Sequence, residues 1–493
     1  MDTSIGGVAQ LHTFDDDVRM TPVRRRALMT IALGEFVDGF DLIVISGALL
    51  QLKVQFHLTP SQTGLLSAAA FLGSAVGALF FGDLTDRIGR RRVFVVNLVA
   101  FVALALLSAA ITNVGMLLAL RALMGVAIGA DIAASMAFLA ELSPRGSRGG
   151  WTGAMPQITW SLGALTAILL DAGLYVVAGS QAWRLMLAAG AVPAVVVLLL
   201  RRSLPDSPRW LLARGRVDDA LTAFAQFGVT VHDPSQVVQA LQRPPQQVQQ
   251  GSTLRRAIQP YLAIFGKPFR GVAAFAILMI GLTPFASIGQ SVLGPYVFQQ
   301  FGHLTAIASL LSSALLWVGA LLGSCLAWAL IDRVGRILSI VISLALTIVV
   351  YVLMVTVARG NVGLVPLFFA LGVLVWFGSS AWWPLPSELL PTAVRGRAQG
   401  LGSGLQRFSI AVNVYLVPVL LAGVGFTWTV LTSAAVALVL IPYALWGRRY
   451  EPAAKSLDEA SGDALFLPSQ QHVRRQAEAA DSPVASPTQP AGT

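Results

Sequence analysis

Apolar stretches of about 20 residues recur along nearly the whole chain, each long enough to cross a ~30 Å hydrocarbon core as a helix. Twelve spans are expected, at roughly 27–50, 62–82, 93–112, 115–140, 153–178, 183–201, 271–298, 305–330, 337–357, 362–386, 398–423 and 427–446. Lipid offers a backbone no hydrogen-bond partner, so such segments must satisfy their own N–H and C=O groups as helices. Internal Gly and Pro do not exclude this, because neighbouring helices and water re-satisfy the freed groups. The pattern predicts an all-α membrane protein with twelve transmembrane helices in two six-helix halves. Its expected division is an N-terminal segment 1–26, a first bundle 27–201, a polar central loop 202–268, a second bundle 269–449 and a disordered tail 450–493. The loop holds the Pro/Gln-rich QRPPQQVQQGS, and the tail is rich in Ala, Ser, Pro and charge.

Charge then fixes orientation. Only 12% of residues are charged, against about 25% in a soluble protein. Arg24 to Arg26, Arg87 and Arg90 to Arg92, Arg145, Arg148, the central loop, Arg333, Arg336, Arg395, Arg397, Arg448 and Arg449 fall on one side. The other side holds little beyond Lys53, Arg184 and Arg359. The positive-inside rule places both termini and the loop in the cytoplasm of a multi-pass inner-membrane protein. The net charge of +10 therefore reads as topology and contact with lipid headgroups, not nucleic-acid binding. A single cysteine, Cys325, excludes an intramolecular disulfide. The histidines are scattered, so no metal is expected, and residues 1–26 are too polar for a cleavable signal peptide.

The chain repeats itself. DRIGR at 86–90 returns as DRVGR at 332–336, and ELSPRGSRG at 141–149 returns as ELLPTAVRG at 388–396. Both pairs lie at equivalent helix ends, so the halves are parallel repeats. Such a design places a binding site between them near the bilayer midplane and opens it alternately to each side.

These motifs carry a resemblance to the major facilitator superfamily over nearly the whole length. GDLTDRIGRRR resembles the loop between the second and third helices. RALMGVAIG with Glu141 and Arg148-Gly149 resembles the fourth-helix signature of the sugar-porter branch. LPDSPRWLLARGR resembles that branch's box after helix six, with Asp206 where Glu is usual, and PSELLPTAVRG fits the end of helix ten. The resemblance implies a secondary transporter working as a monomer, not an enzyme; no nucleophile–base arrangement is visible either. No cofactor is implied beyond the proton as coupling ion.

The departures bear on substrate. Sugar porters similar to this chain carry a Gln pair in helix seven, where GLTPFASIGQ here has Leu282 and Thr283, and another Gln in helix five near Pro156. DGFD in helix one is more similar to aromatic-acid and metabolite proton symporters. GLQRFS puts Arg407 inside helix eleven, as in organic-anion transporters. The expectation is proton-coupled symport of a small organic acid, an aromatic carboxylate among the candidates. A neutral sugar or polyol is the alternative, and a transporter-like sensor a weaker one.

Charges inside a membrane are costly and mark function. At 1.5 Å per residue Asp41 lies roughly 21 Å into helix one, and Arg121 lies roughly 9 Å into helix four from the other face. In a ~30 Å core the depths coincide, so the two can pair. The resemblance implies that this pair couples the proton. Arg favours the carboxylate and burial disfavours it, so opening the pair lets Asp41 take a proton. Glu35, Asp38 and Asp41 share an arc of roughly 120°. Acids three apart repel, so at least one is expected to stay protonated. Asp38, at roughly 17 Å, is a candidate for proton or substrate, while Glu35 is expected only in the cytoplasmic vestibule. Arg407 is permanently cationic and suits a carboxylate. Asp131 in helix four is a further candidate for substrate or for a basic partner, and Asp171 is expected to be an interfacial acid. Trp160, Phe285, Phe377, Trp382 and Trp383 are candidate apolar walls, with Gln290, Gln406 and Asn413 as hydrogen-bonding groups. Asp83, Asp86, Arg90 and Arg148 resemble the family's gating network. Glu141, Glu388, Arg395, Asp332 and Arg336 form the matching set, expected to latch the halves.

Overall fold

In the computed structural model, residues 20–143, 150–202, 204–213, 215–227, 262, 264–266, 269–287, 292–356, 361–390 and 392–451 are described. Within these ranges the side chains at 82–88, 90, 133, 137, 140, 141, 209, 212, 213, 361, 362 and 392–396 are not. The first half comprises α1 (Pro22–Gln55), α2 (Pro60–Ile88), α3 (Arg90–Ala109), α4 (Val114–Leu142), α5 (Met155–Ala178), α6 (Ala182–Ala189) and α7 (Ala191–Arg201). Two short helices follow, α8 (Pro208–Ala213) and α9 (Val217–Gln226), inside the segment expected to be a plain loop. The second half comprises α10 (Arg270–Leu282), α11 (Gly294–Gln300), α12 (Ala306–Val334), α13 (Arg336–Thr356), α14 (Asn361–Trp382), α15 (Leu385–Leu389), α16 (Thr392–Gly423) and α17 (Gly425–Trp446).

Caps set several boundaries. Thr21 accepts a hydrogen bond from Arg24 N–H, with Pro22 at the first helical position of α1. Asn113 and Thr305 cap α4 and α12 in the same way. Four expected spans are not continuous helices. Span five begins as a π-helical turn, Gly150–Ala154. Span six divides at Gly190 into α6 and α7. Span seven ends at Leu282, passes through a 3₁₀ turn at Thr283–Ala286 containing Pro284, and resumes with Pro295 near the start of α11. Span ten breaks before Pro384. Proline supplies no N–H to the helical ladder and crowds the preceding turn, which favours the last two breaks, whereas Pro366, Pro418 and Pro442 stay within α14, α16 and α17.

Among the described residues, nine helical stretches are long and apolar enough to cross a membrane, and one of them, Gly150–Arg201, holds spans five and six. Helix α1, with its three acids, and the broken seventh span complete a twelve-helix architecture in two parallel halves. Helix pairs are held close by glycines. Gly73 and Gly77 of α2 lie on the backbone of α4, and Gly319 and Gly323 of α12 lie on that of α14. These are equivalent pairs in the two halves. The halves meet along α5–α12 and α2–α16.

One end of the bundle carries Met20, Glu451 and, among the described residues, most arginines, and is called the basic end below. At the opposite end Ser61 and Tyr415 share a hydrogen bond of 3.1 Å, and Lys53 Nζ stands 4.8 Å from the Tyr296 ring centre. Toward the basic end Trp151 meets Trp328 edge-on at 5.6 Å, and Trp383 Nε1 lies 3.5 Å from Met136 Sδ. Contacts between the halves thus bracket the centre from both ends.

Candidate functional site

Between these contacts lies a cavity of about 560 Å³ of unfilled space, including its open mouth. Its walls come from both halves: Glu35 and Phe71, Gln157 and Trp160, Trp376 and Ser379, Trp382 and Trp383, Gln406 and Arg407. A largely apolar cavity with a few convergent polar groups is the usual form of a small-molecule site.

Asp41 does not face this cavity. It turns into the first half, where Arg121 Nη1 donates to its Oδ2 at 2.8 Å; both residues are 1% exposed. The matching depths along α1 and α4 become an ion pair. Gly190 leaves the space beside it: a Cβ there would stand 3.6 Å from Asp41 Oδ1.

Glu35 and Arg407 face the cavity from opposite halves. Glu35 was expected only in the vestibule; the α1–α5 packing turns it into the site instead. Arg407 is 4% exposed and has no ion pair within 4.0 Å among the described residues; its Nε lacks a hydrogen-bond partner. Glu35 Oε1 and Asp38 Oδ2 are equally unpartnered, and both acids lie within electrostatic reach of Arg407.

Asp131 lies away from the cavity. It is ion-paired with Arg201 at the end of α7 and accepts from Ser135 Oγ at 3.1 Å. The same guanidinium donates to the Ile31 carbonyl at 2.6 Å and to Ser135 Oγ at 3.0 Å, and it lies 4.2 Å over the Phe94 ring. Of the two roles expected for Asp131, the structure shows the basic partner. Asp171 is not interfacial: it is fully buried, and Oδ2 accepts from Gly47 N–H at 3.2 Å. Gly47 leaves α1 flat enough for that carboxylate to lie against it.

The tryptophans form a box across the halves. Trp160, Trp317 and Trp376 have ring centres 5.1, 5.8 and 4.9 Å apart. Trp160, Trp382, Trp383 and Gln406 line the cavity as expected. Phe377 instead packs with Ala154, Ala327 and Leu330 outside the lining. Phe285 sits in the 3₁₀ turn, also outside it, because the break in span seven redirects that segment. Asn413 donates to the Ser287 carbonyl at 3.2 Å. Gln290 lies outside the described residues. Gln157, Trp376 and Ser379 line the wall without being expected from the sequence; Gln157 stands one residue beyond Pro156, the position compared with the sugar porters' Gln.

At the basic end Arg336 donates to both oxygens of Glu388, at 3.2 Å each, and to Asp332 at 2.7 Å. These expected members of the second-half set do assemble. The side chains of Asp83, Asp86, Arg90, Glu141 and Arg395, and all of Arg148, lie outside the described residues. A symmetric feature accompanies the set. Asp206, after the first half, accepts from Arg91 N–H at 2.9 Å. Glu451, after the second, accepts from Arg336 and Ile337 N–H at 2.8 Å each. Each acid caps the third helix of its half, just past Gly89 or Gly335 at φ 93° and 92°. The sequence pattern places Glu451 in the tail at 450–493, but this cap holds it against α13.

The family model for sugar (and other) transporters matches residues 27–461. The chain belongs to that family. It is a sugar-porter-like member of the major facilitator superfamily, a multi-pass membrane transporter of a small molecule and not an enzyme. The inner membrane metabolite transport protein YgcS of Escherichia coli (strain K12) is 32% identical, over 86% of this chain and 91% of that one. The arabinose-proton symporter of Bacillus subtilis (strain 168) is 28% identical, over 75% of this chain and 80% of that one. A solved structure of the proton:xylose symporter XylE bound to 6-bromo-6-deoxy-D-glucose superposes with a TM-score of 0.69 at 22% identity, covering 91% of this chain and all of that one. This last likeness concerns the fold.

Proposed function

We propose that the transporter takes up a small organic acid together with protons, by alternating access of the central cavity. One observation carries the reading: Arg407, buried in the cavity wall, has no ion pair among the described residues. A guanidinium cannot shed its proton, and Glu35 in the same wall makes no direct ion pair with it, so a substrate anion can compete for the guanidinium. A carboxylate matches the guanidinium fork, and the tryptophans would hold a ring or carbon skeleton. Asp41 and Arg121 are the proposed proton switch, in keeping with the proton coupling named for the arabinose relative. The basic end is proposed to face the cytoplasm of an inner membrane, where the YgcS relative is named. Enclosure of the site by the halves of one chain supports action as a monomer.

The test is substrate binding to Arg407→Ala and Arg407→Lys. Loss of the charge-assisted hydrogen bonds should weaken carboxylate affinity about tenfold or more. Unchanged affinity for every carboxylate that stabilises the wild-type protein would remove the reading. A second reading is a neutral sugar or polyol, favoured by Gln157 and Gln406 in the wall and by the relatives' named substrates. Thermal stabilisation by sugars, with no response to carboxylates, selects it.

A further inference from the structure

The cavity wall carries an acid and a base, Glu35 and Arg407, and a second acid, Asp38, lies one helical turn from Glu35. Glu35 Oε1, Asp38 Oδ2 and Arg407 Nε are all without hydrogen-bond partners, on residues 4%, 3% and 4% exposed. Glu35 and Arg407 line one cavity, from α1 of one half and α16 of the other. The neighbouring cations of the first half are engaged. Arg121 of α4 holds Asp41, and Arg201 of α7 holds Asp131 of α4. Helices α5 and α14 add no charged side chain to the wall, contributing Gln157, Trp160, Val375, Trp376, Ser379 and Trp382, and α16 adds Gln406 and Ile410 beside Arg407. Arg407 is therefore the cation that shares the cavity wall with Glu35, and Asp38 lies one helical turn along α1 from Glu35.

Charge balance follows from this arrangement. With the site empty, one ionised carboxylate of the Glu35–Asp38 pair neutralises Arg407. Its neighbour one helical turn away keeps a proton, since two like charges at that spacing repel in a low dielectric. A substrate carboxylate docking on the guanidinium deprives the resident carboxylate of its counter-ion. That oxygen then takes a proton from solution, and the net charge of the site does not change.

We infer that Glu35 and Asp38 together are the resident counter-ion of Arg407 and a second proton-carrying centre, filled as a substrate carboxylate enters and separate from the Asp41–Arg121 pair. The inference rests on reading Arg407 as a carboxylate site. It gives Glu35 a role beyond the vestibule and makes proton uptake a consequence of anion binding itself.

The test uses the full-length purified protein with Asp41→Asn, which silences the first centre, and benzoate and gluconate as aromatic and hydroxylated carboxylate probes. Calorimetry in buffers of different ionisation enthalpy reads the protons taken up per probe bound. About one proton is expected, falling to near zero when Glu35→Gln and Asp38→Asn are added together while binding persists. Binding without proton uptake in Asp41→Asn overturns the inference alone, as does uptake unchanged by the added pair. Binding of neither probe, or binding indifferent to Arg407→Lys, overturns the carboxylate reading and the inference with it. If the combined variant does not fold, Glu35→Gln and Asp38→Asn are used singly in the Asp41→Asn protein. The protonated-carboxyl infrared band that appears with probe should then differ in frequency between them, being Asp in one and Glu in the other. An identical band in both overturns the inference.

Discussion

Arg121 grips Asp41 at two levels: Nη1 donates to the carboxylate at 2.8 Å, and Nη1 and Nη2 lie 3.3 and 3.2 Å from the Asp41 backbone carbonyl. The carbonyl contact survives protonation of the carboxyl while the ion pair does not. The arrangement can therefore loosen without releasing the arginine altogether.

Asp41→Asn preserves the side-chain size but removes the proton acceptor. Each proton carried contributes about tenfold in accumulation per pH unit of gradient. Steady-state accumulation in proteoliposomes with the outside one unit more acidic should fall by about that factor. Exchange of labelled for unlabelled substrate, which needs no net proton movement, should persist. Accumulation equal to wild type would place the proton elsewhere.

Asp131→Ala strands Arg201, whose side chain is fully buried against α1, α3 and α4. Breaking a buried pair from one side costs about 3–5 kcal/mol. The expected result is a clear fall in Tm with substrate affinity unchanged. A large affinity loss at normal Tm would return Asp131 to the binding site.

Glu451→Ala removes two charge-assisted bonds from the N-terminus of α13. Loss of such a cap costs about 1–2 kcal/mol. Thermal unfolding of the purified protein checks this, and Asp206→Ala should act in the same direction through α3. No change in either variant would mean that solvent caps these helices as well as the acids do.

Gly39→Ala places a Cβ into the Trp160 carbonyl, where α1 and α5 touch. Overpacking of this kind costs about 1–3 kcal/mol. Trp160 also lines the cavity, so the substrate KM should rise along with the loss of stability. A raised KM in Gly39→Ala but normal packing in Gly163→Ala, the reciprocal contact on Phe36, would contradict a rigid α1–α5 seam.

Much of this was legible in the chain. Apolar run length gave the spans, the returning DRIGR and ELSPRGSRG motifs gave the halves, and 1.5 Å per residue set Asp41 level with Arg121. Distance along a straight helix is linear in sequence, so depth can be read without a fold. Direction around the helix axis and the identity of the neighbour cannot, because they depend on how helices from distant parts of the chain pack. That packing sends Asp41 inward but Glu35 into the cavity, and it joins Asp131 to Arg201 across 70 residues. It also buries Asp171 against Gly47 and leaves Arg407 in one cavity wall with Glu35 and, among the described residues, without an ion pair. Breaks at Pro284 and Pro384 moved Phe285 and the end of span ten by the same cause: Pro366, Pro418 and Pro442 sit inside unbroken helices, so the packing around a proline decides whether the helix stops there.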